Sequence, residues 1–240
     1  MPLTNRQLRP PSNDVHFAAM TSGHNSVTNG FLLNSLKMVL DFIEKDEIQM
    51  IHYPDFFEEG YKHKYDKDIY HYLDNVARND QYEMNRGFSH RLLRCSCVIW
   101  QFKNLDELKA KYNEVINVLE NSYDGEVNTP DVQRLKGMIR EFEEELVWAY
   151  NGVLVNNVHH LHLGFYQDKG ITKGPNMQRD VMPILNQFRE IQPDIISVTL
   201  DPEGSGPDTH YKVLQATAAA VAEWSKEKDL SNVRIYGYRN

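Results

Sequence analysis

Cysteine is scarce in this 240-residue chain, and the two present, Cys95 and Cys97, are spaced i, i+2. No second Cys pair completes a thiolate zinc site, and no disulfide framework is possible beyond one bridge. The pair is expected to be reduced, buried thiols of a cytoplasmic protein. Basic charge is also short: Lys and Arg number 26 against 34 Asp and Glu, a formal net charge of −8. That excludes nucleic acid and an anionic membrane as the main partner. No apolar run approaches the roughly 18 residues that a spanning helix needs, and no charged-then-apolar leader follows Met1. Internal repeats and low-complexity segments are absent as well.

What is present is ordinary globular composition, with 41% hydrophobic and 25% charged residues. The length fits one domain with a sizeable core. After a polar, Pro-rich start, "DVHFAAMTSG" alternates as a strand and closes in small residues. A helix is expected from about Thr28 to Asp46. Residues 48 to 87 carry many Tyr, His, Lys and Asp with little clean period, and read as an irregular insertion, with a lid or partner surface as the alternative. Three helices should follow. The first covers about Ser89 to Phe102. The second starts behind Asn104 with Leu108, Tyr112, Val115, Ile116 and Leu119 on one face. The third starts at Thr129-Pro130, with Leu135, Met138, Ile139, Phe142, Leu146 and Ala149 as its apolar stripe.

From Asn157 onward the order becomes strand, helix, strand, helix, strand. The strands are "NVHHLHLGFY", "DIISVTL" and "NVRIYGYR"; the helices run from about Met177 to Ile191 and from about Asp208 to Lys226. This alternation predicts an α/β fold, a Rossmann-like and mostly parallel sheet with flanking helices, interrupted by a helical insertion over residues 47 to 129.

In such sheets ligands bind beyond the C-terminal strand ends. Three loops lie there: Thr21 to Asn25, Gly164 to Gly170, and Asp201 to His210. They would gather His24, Asp168, Asp201, Glu203, Asp208 and His210. Histidine plus carboxylates suits a divalent metal that activates water, with a carboxylate as general base. "GSGPDTH" could alternatively hold a phosphate at a helix start, although it lacks a P-loop lysine. Read alone, His210 is as well explained as a helix-start residue. His160 and His162, mid-strand, read as satisfied strand histidines. Arg140 with Glu143 and Glu144 reads as a charged helix face.

Three segments together resemble the LmbE/PIG-L family of zinc-dependent N-acetylglucosaminyl deacetylases. They are "DVHFAAMTSG", "IREFEEELVWAYNGV" and "PDIISVTLDPEGSGPDTHYKV". The helix is similar to the family pattern R-x-x-E-x-x-x-A-x-x-x-G-V, falling on Arg140, Glu143 and Gly152. More narrowly, the chain resembles the deacetylase-like region joined to glucosamine-6-phosphate deaminase-type domains in some bacterial proteins. The resemblance covers residues 14 to 46 and 130 to 240.

It implies metal-assisted hydrolysis of the N-acyl group of an amino sugar. His210 would be a zinc ligand, Asp208 a catalytic carboxylate, and His24, Arg140 and Asp168, with Gln167 as the rival register for Asp168, would contact sugar or phosphate. It also implies a fused or associated deaminase domain, and admits a homo-oligomer. Two positions depart from the family. Pro207 stands where it has a histidine, and no H-P-D-D-E motif precedes Asp14. The expectation is therefore a single domain truncated at both ends, whose metal centre is incomplete here. The alternative is a sugar-phosphate-binding or assembly module that serves a deaminase without metal.

Overall fold

The computed structural model describes residues 13–62, 66–123, 126–167, 170–171, 175–200 and 208–238. The chain divides into two compact units, one formed by residues 1–18 and 22–159, the other by residues 19–21 and 160–240.

The first unit is helical. Helix α1 (Asn29–Glu44) starts behind Thr28, whose hydroxyl accepts from the Phe31 N–H, the usual way to satisfy an orphan donor at a helix start. Helix α2 (Asp66–Arg78) and helix α3 (Gln81–Trp100) follow. Helix α4 (Leu105–Glu120) is capped by Asn104, which accepts from the Glu107 N–H at 2.9 Å. Helix α5 (Pro130–Tyr150) carries proline in its first turn. The five residues expected on the inner face of α4 are all buried. On α5, Leu135, Ile139 and Phe142 are buried, while Met138, Leu146 and Ala149 are partly so.

Helix α3 is the centre of this unit. Leu92, Leu93, Cys95, Ser96 and Cys97 are all buried, so two residues that share no single helix face are both inside because the helix is surrounded. Both thiols are free. Burial pushes Cys95 up to about 11 and Cys97 up to about 12, which keeps them as inert thiols at neutral pH. Two polar contacts tie this helix to its neighbours: Ser96 and Tyr112 hydroxyls are 2.7 Å apart, and Arg91 bonds the buried Glu145 at 2.8 Å. A second buried pair joins Arg94 to Asp68.

Residues 48 to 87 differ from the irregular insertion expected of them. They hold two short 3-10 turns, the whole of α2 and the start of α3. Ile69, Tyr72, Leu73 and Val76 recur at helical spacing, and Ile69 is fully buried beside Phe142 and Val155. The crowding of Tyr, His and Lys around those positions hides a helix whose inner side carries Ile69, Tyr72 and Leu73, while Val76 at its end is exposed.

The second unit mixes helices with short strands. Strand β1 (Phe17–Ala19) pairs with β2 (Val158–His160), most of both strands belonging to the first unit; in the second unit β3 (Tyr166–Gln167) pairs antiparallel with β4 (Gly170–Ile171). A five-residue π turn, Met177–Val181, leads into α6 (Met182–Ile191). Strand β5 (Ile195–Thr199), helix α7 (Asp208–Trp224) and strand β6 (Arg234–Tyr238) form a βαβ unit, because β5 and β6 pair parallel, Ile195 opposite Arg234. Alanines 216 and 220 on α7 are fully buried with Ile196 and Val198 of β5; their small side chains let helix and strand approach closely. Phe188 of α6 and Trp224 of α7 close the core with ring centroids 5.3 Å apart.

The fold is thus mixed α/β and dominated by helices. Among the described residues each sheet has two strands, so the single broad parallel sheet expected from the alternation is not formed by these residues. The strand expected over "NVHHLHLGFY" ends early. His162 adopts a left-handed backbone, φ 50°, which breaks the alternation that would have aligned it with His160. None of the described helices is long and apolar enough to cross a membrane.

Candidate functional site

Two of the residues singled out from sequence lie on elements that meet in the first unit. Gly23 takes a left-handed conformation, φ 62°, and a 3-10 turn, His24–Ser26, follows it. A side chain at Gly23 would strain that backbone. It would also lie 3.6 Å from Cγ of Arg140, so the arginine stem runs across the bare glycine. One turn earlier on α5, a β-carbon at Gly137 would sit 3.1 Å from that of Ser22. Two glycines therefore let the Ser22–His24 turn dock on α5, with the Arg140 stem against Gly23, the residue before His24.

His24 is buried, and its Nδ1 lies 2.9 Å from the Ser22 hydroxyl. Arg140 is about one-third exposed, and its guanidinium pairs with Glu143, one turn along the same helix. Of the two glutamates considered as partners, Glu143 forms this contact. A half-exposed i, i+3 pair contributes about 0–1 kcal/mol. Charge-assisted hydrogen bonds to a ligand are worth about 1.5–3 kcal/mol, enough to open the pair. The arrangement can therefore present a cation and a carboxylate, about a helical turn apart, to a small ligand.

The other candidates are placed differently. His210 is half-buried at the third position of α7, in the second unit. Asp168, the loop 201–207 with Pro207, and the side chain of Asp208 lie outside the described residues. His160 and His162 face each other with ring centroids 6.4 Å apart. Among the described residues, no group of three or more His, Cys, Asp or Glu side chains is placed to hold a metal ion. These residues alone do not make a zinc donor set.

Sequence reasoning missed the pairing of His16 with His159. Nδ1 of the first lies 2.9 Å from Nε2 of the second, and the rings are tilted by only 9° with centroids 5.2 Å apart. That separation and tilt describe two rings joined end to end by one N–H···N bond. Asp14 accepts at the far nitrogen of His16, and this bond holds its carboxyl below the usual range. A histidine at the entry to β1 and one in its partner strand β2 were the available signal.

Comparison with known proteins gives one informative likeness. Over 145 residues the chain is 35% identical to a glucosamine-6-phosphate deaminase-like protein of Bacteroides thetaiotaomicron; the match covers 58% of this chain and 21% of the relative. The chain spans about a fifth of that relative's length. No family model matches the sequence, and no solved structure matches it.

Proposed function

We propose that this chain is an amino-sugar-recognising part of a protein of amino-sugar metabolism, and that Arg140, Glu143 and His24 form the recognition site. The observation that carries the reading is the docked turn: two glycines seat the Ser22–His24 turn on α5 with Gly23 against the Arg140 stem, and Glu143 pairs with Arg140 as a cation and carboxylate at an accessible surface. An amino sugar phosphate carries both an ammonium and a phosphate. Arg140 suits the phosphate, because a guanidinium presents a planar fork to oxyanions. Glu143 suits the ammonium or the ring hydroxyls. On a chain of net charge −8, a local cation is what an anionic sugar would need. The likeness to a deaminase-like protein supports the same substrate class.

The finer reading is hydrolysis of the N-acyl group with zinc, His210 as ligand, Asp208 as the carboxylate and Asp168 at the sugar, on a Rossmann-like sheet. It is supported by the position of His210 at the start of a helix that follows a parallel strand. It requires metal donors beyond the described residues. Calorimetry and metal analysis on the purified chain separate the two readings. Glucosamine 6-phosphate should bind more tightly than glucose 6-phosphate, because only the former offers an ammonium to Glu143. Equal affinity for the two would defeat the amino-sugar assignment. Stoichiometric zinc that is lost in His210→Ala, with release of acetate from an N-acetylated sugar, would establish the deacetylase; absence of both would leave recognition alone.

A further inference from the structure

Helix α2 lies within the segment expected to be an irregular insertion, yet it packs against α5 next to the site just described. Tyr72 meets the ring of Phe142 edge-on, with centroids 5.5 Å apart at 89°. Phe142 is the residue before Glu143 on α5 and is buried, and the charge of Glu143 is felt at Tyr72, so Tyr72 lies near the Glu143 end of the pair. The placement is firm. Ile69, one turn earlier, is fully buried in the same apolar cluster as Phe142 and Val155. Asp68 is tied to Arg94 of α3, and a β-carbon at Gly87 would come 3.3 Å from the ring of His71, so α2 and α3 lie close along their length. Burial, and then the charge of Glu143, hold the Tyr72 hydroxyl above the usual tyrosine value, so it remains a protonated donor at any physiological pH. Among the described residues the hydroxyl has no hydrogen-bond partner, while its ring is packed.

We propose that Tyr72 is a further ligand-contacting side chain of the Arg140–Glu143 site, its hydroxyl donating a hydrogen bond to a ring oxygen of the sugar, so that helix α2 forms one wall of the site. The inference rests on the amino-sugar reading above and names the element that would set its specificity. A sugar has an apolar ring face and a rim of hydroxyls. A fixed aromatic side chain with a polar tip, next to an Arg–Glu pair, matches both. The site would thus be shared by two regions of the sequence, α5 and the intervening segment.

Tyr72→Phe tests this in the full chain, because it keeps the ring against Phe142 and deletes only the hydroxyl. Affinity for glucosamine 6-phosphate, measured by calorimetry, should fall about 2- to 12-fold, the usual consequence of losing one neutral ligand hydrogen bond. The thermal midpoint should stay unchanged, which a packing role alone would not combine with lost affinity. Unchanged affinity in Tyr72→Phe, with binding lost in Arg140→Ala, would overturn the inference and leave the site reading standing. A wild-type chain with no affinity for the sugar phosphate would remove the site reading, and the inference with it.

Discussion

Helix α3 in the first unit and strand β6 in the second sit at opposite ends of the range of burial. Around α3, Leu92, Leu93 and Cys97 are essentially inaccessible, and α1 and α4 add Leu32, Leu36, Leu108 and Tyr112 to one continuous core. On β6, Ile235 is 50% exposed and Tyr238 40% exposed. Its partner β5 is covered on one face by α7, while Ile195 on the other face is 43% exposed. Parallel strands are normally covered on both faces, and a two-stranded sheet is marginal by itself. The first unit thus carries its stability within its own helices, whereas the β5–β6 pair is held from one side through the alanines of α7.

Mutations should sharpen this contrast. Leu93→Ala empties a fully buried position on α3 and should cost about 2–5 kcal/mol, read by chemical denaturation. A cost below 1 kcal/mol would mean that the helical core relaxes around the gap and is not the packed element described.

A pH effect of intermediate size should also come from the first unit. Burial, and then the neighbouring Arg94, Arg86 and His71, push His90 down to about 4 from its usual 6.5. The unfolded chain takes up this proton near pH 6.5, while the folded chain resists it until about pH 4. The stability held by neutral His90 is complete above pH 6.5 and is lost as pH falls through that window. Between pH 7 and pH 4.5 the loss from this group should be on the order of 2–3 kcal/mol. His90→Met should flatten that part of the profile; an unchanged slope would assign the acid sensitivity to other groups. The smallest effect is expected on β6. Ile235→Ser should shift stability by no more than about 0.5 kcal/mol, and a loss near that of Leu93→Ala would show that the strand is covered in solution.

Periodicity made most of the helices legible. In α4 the five apolar residues recur at helical spacing behind an asparagine cap, so both the element and its buried face were readable. Helix α2 was equally periodic at Ile69, Tyr72, Leu73 and Val76, but the surrounding aromatic and charged residues drew attention to composition rather than spacing. The β structure was harder to read. "NVHHLHLGFY" has strand composition throughout, yet the left-handed backbone at His162 ends regular pairing there, and no local propensity foretells it. Within the site, Arg140 and His24 were named from the resemblance. The docking of the Ser22–His24 turn on α5 depends on Gly23 and Gly137, whose absent side chains carry no chemical signature. Tyr72 comes to Phe142 from far along the chain, a relation that spacing does not encode. Asp168 and the side chain of Asp208 lie outside the described residues.

The central claim, that the Arg140–Glu143 pair recognises an amino sugar phosphate, is tested most directly by titrating glucosamine 6-phosphate into the wild-type chain and into Arg140→Ala. The account predicts saturable binding to the wild type and at least a tenfold loss in Arg140→Ala, since a charge-assisted pair with phosphate is worth about 1.5–3 kcal/mol, with no fall in the thermal midpoint beyond what an exposed ion pair contributes. Equal binding by both proteins, or none by the wild type, would contradict it.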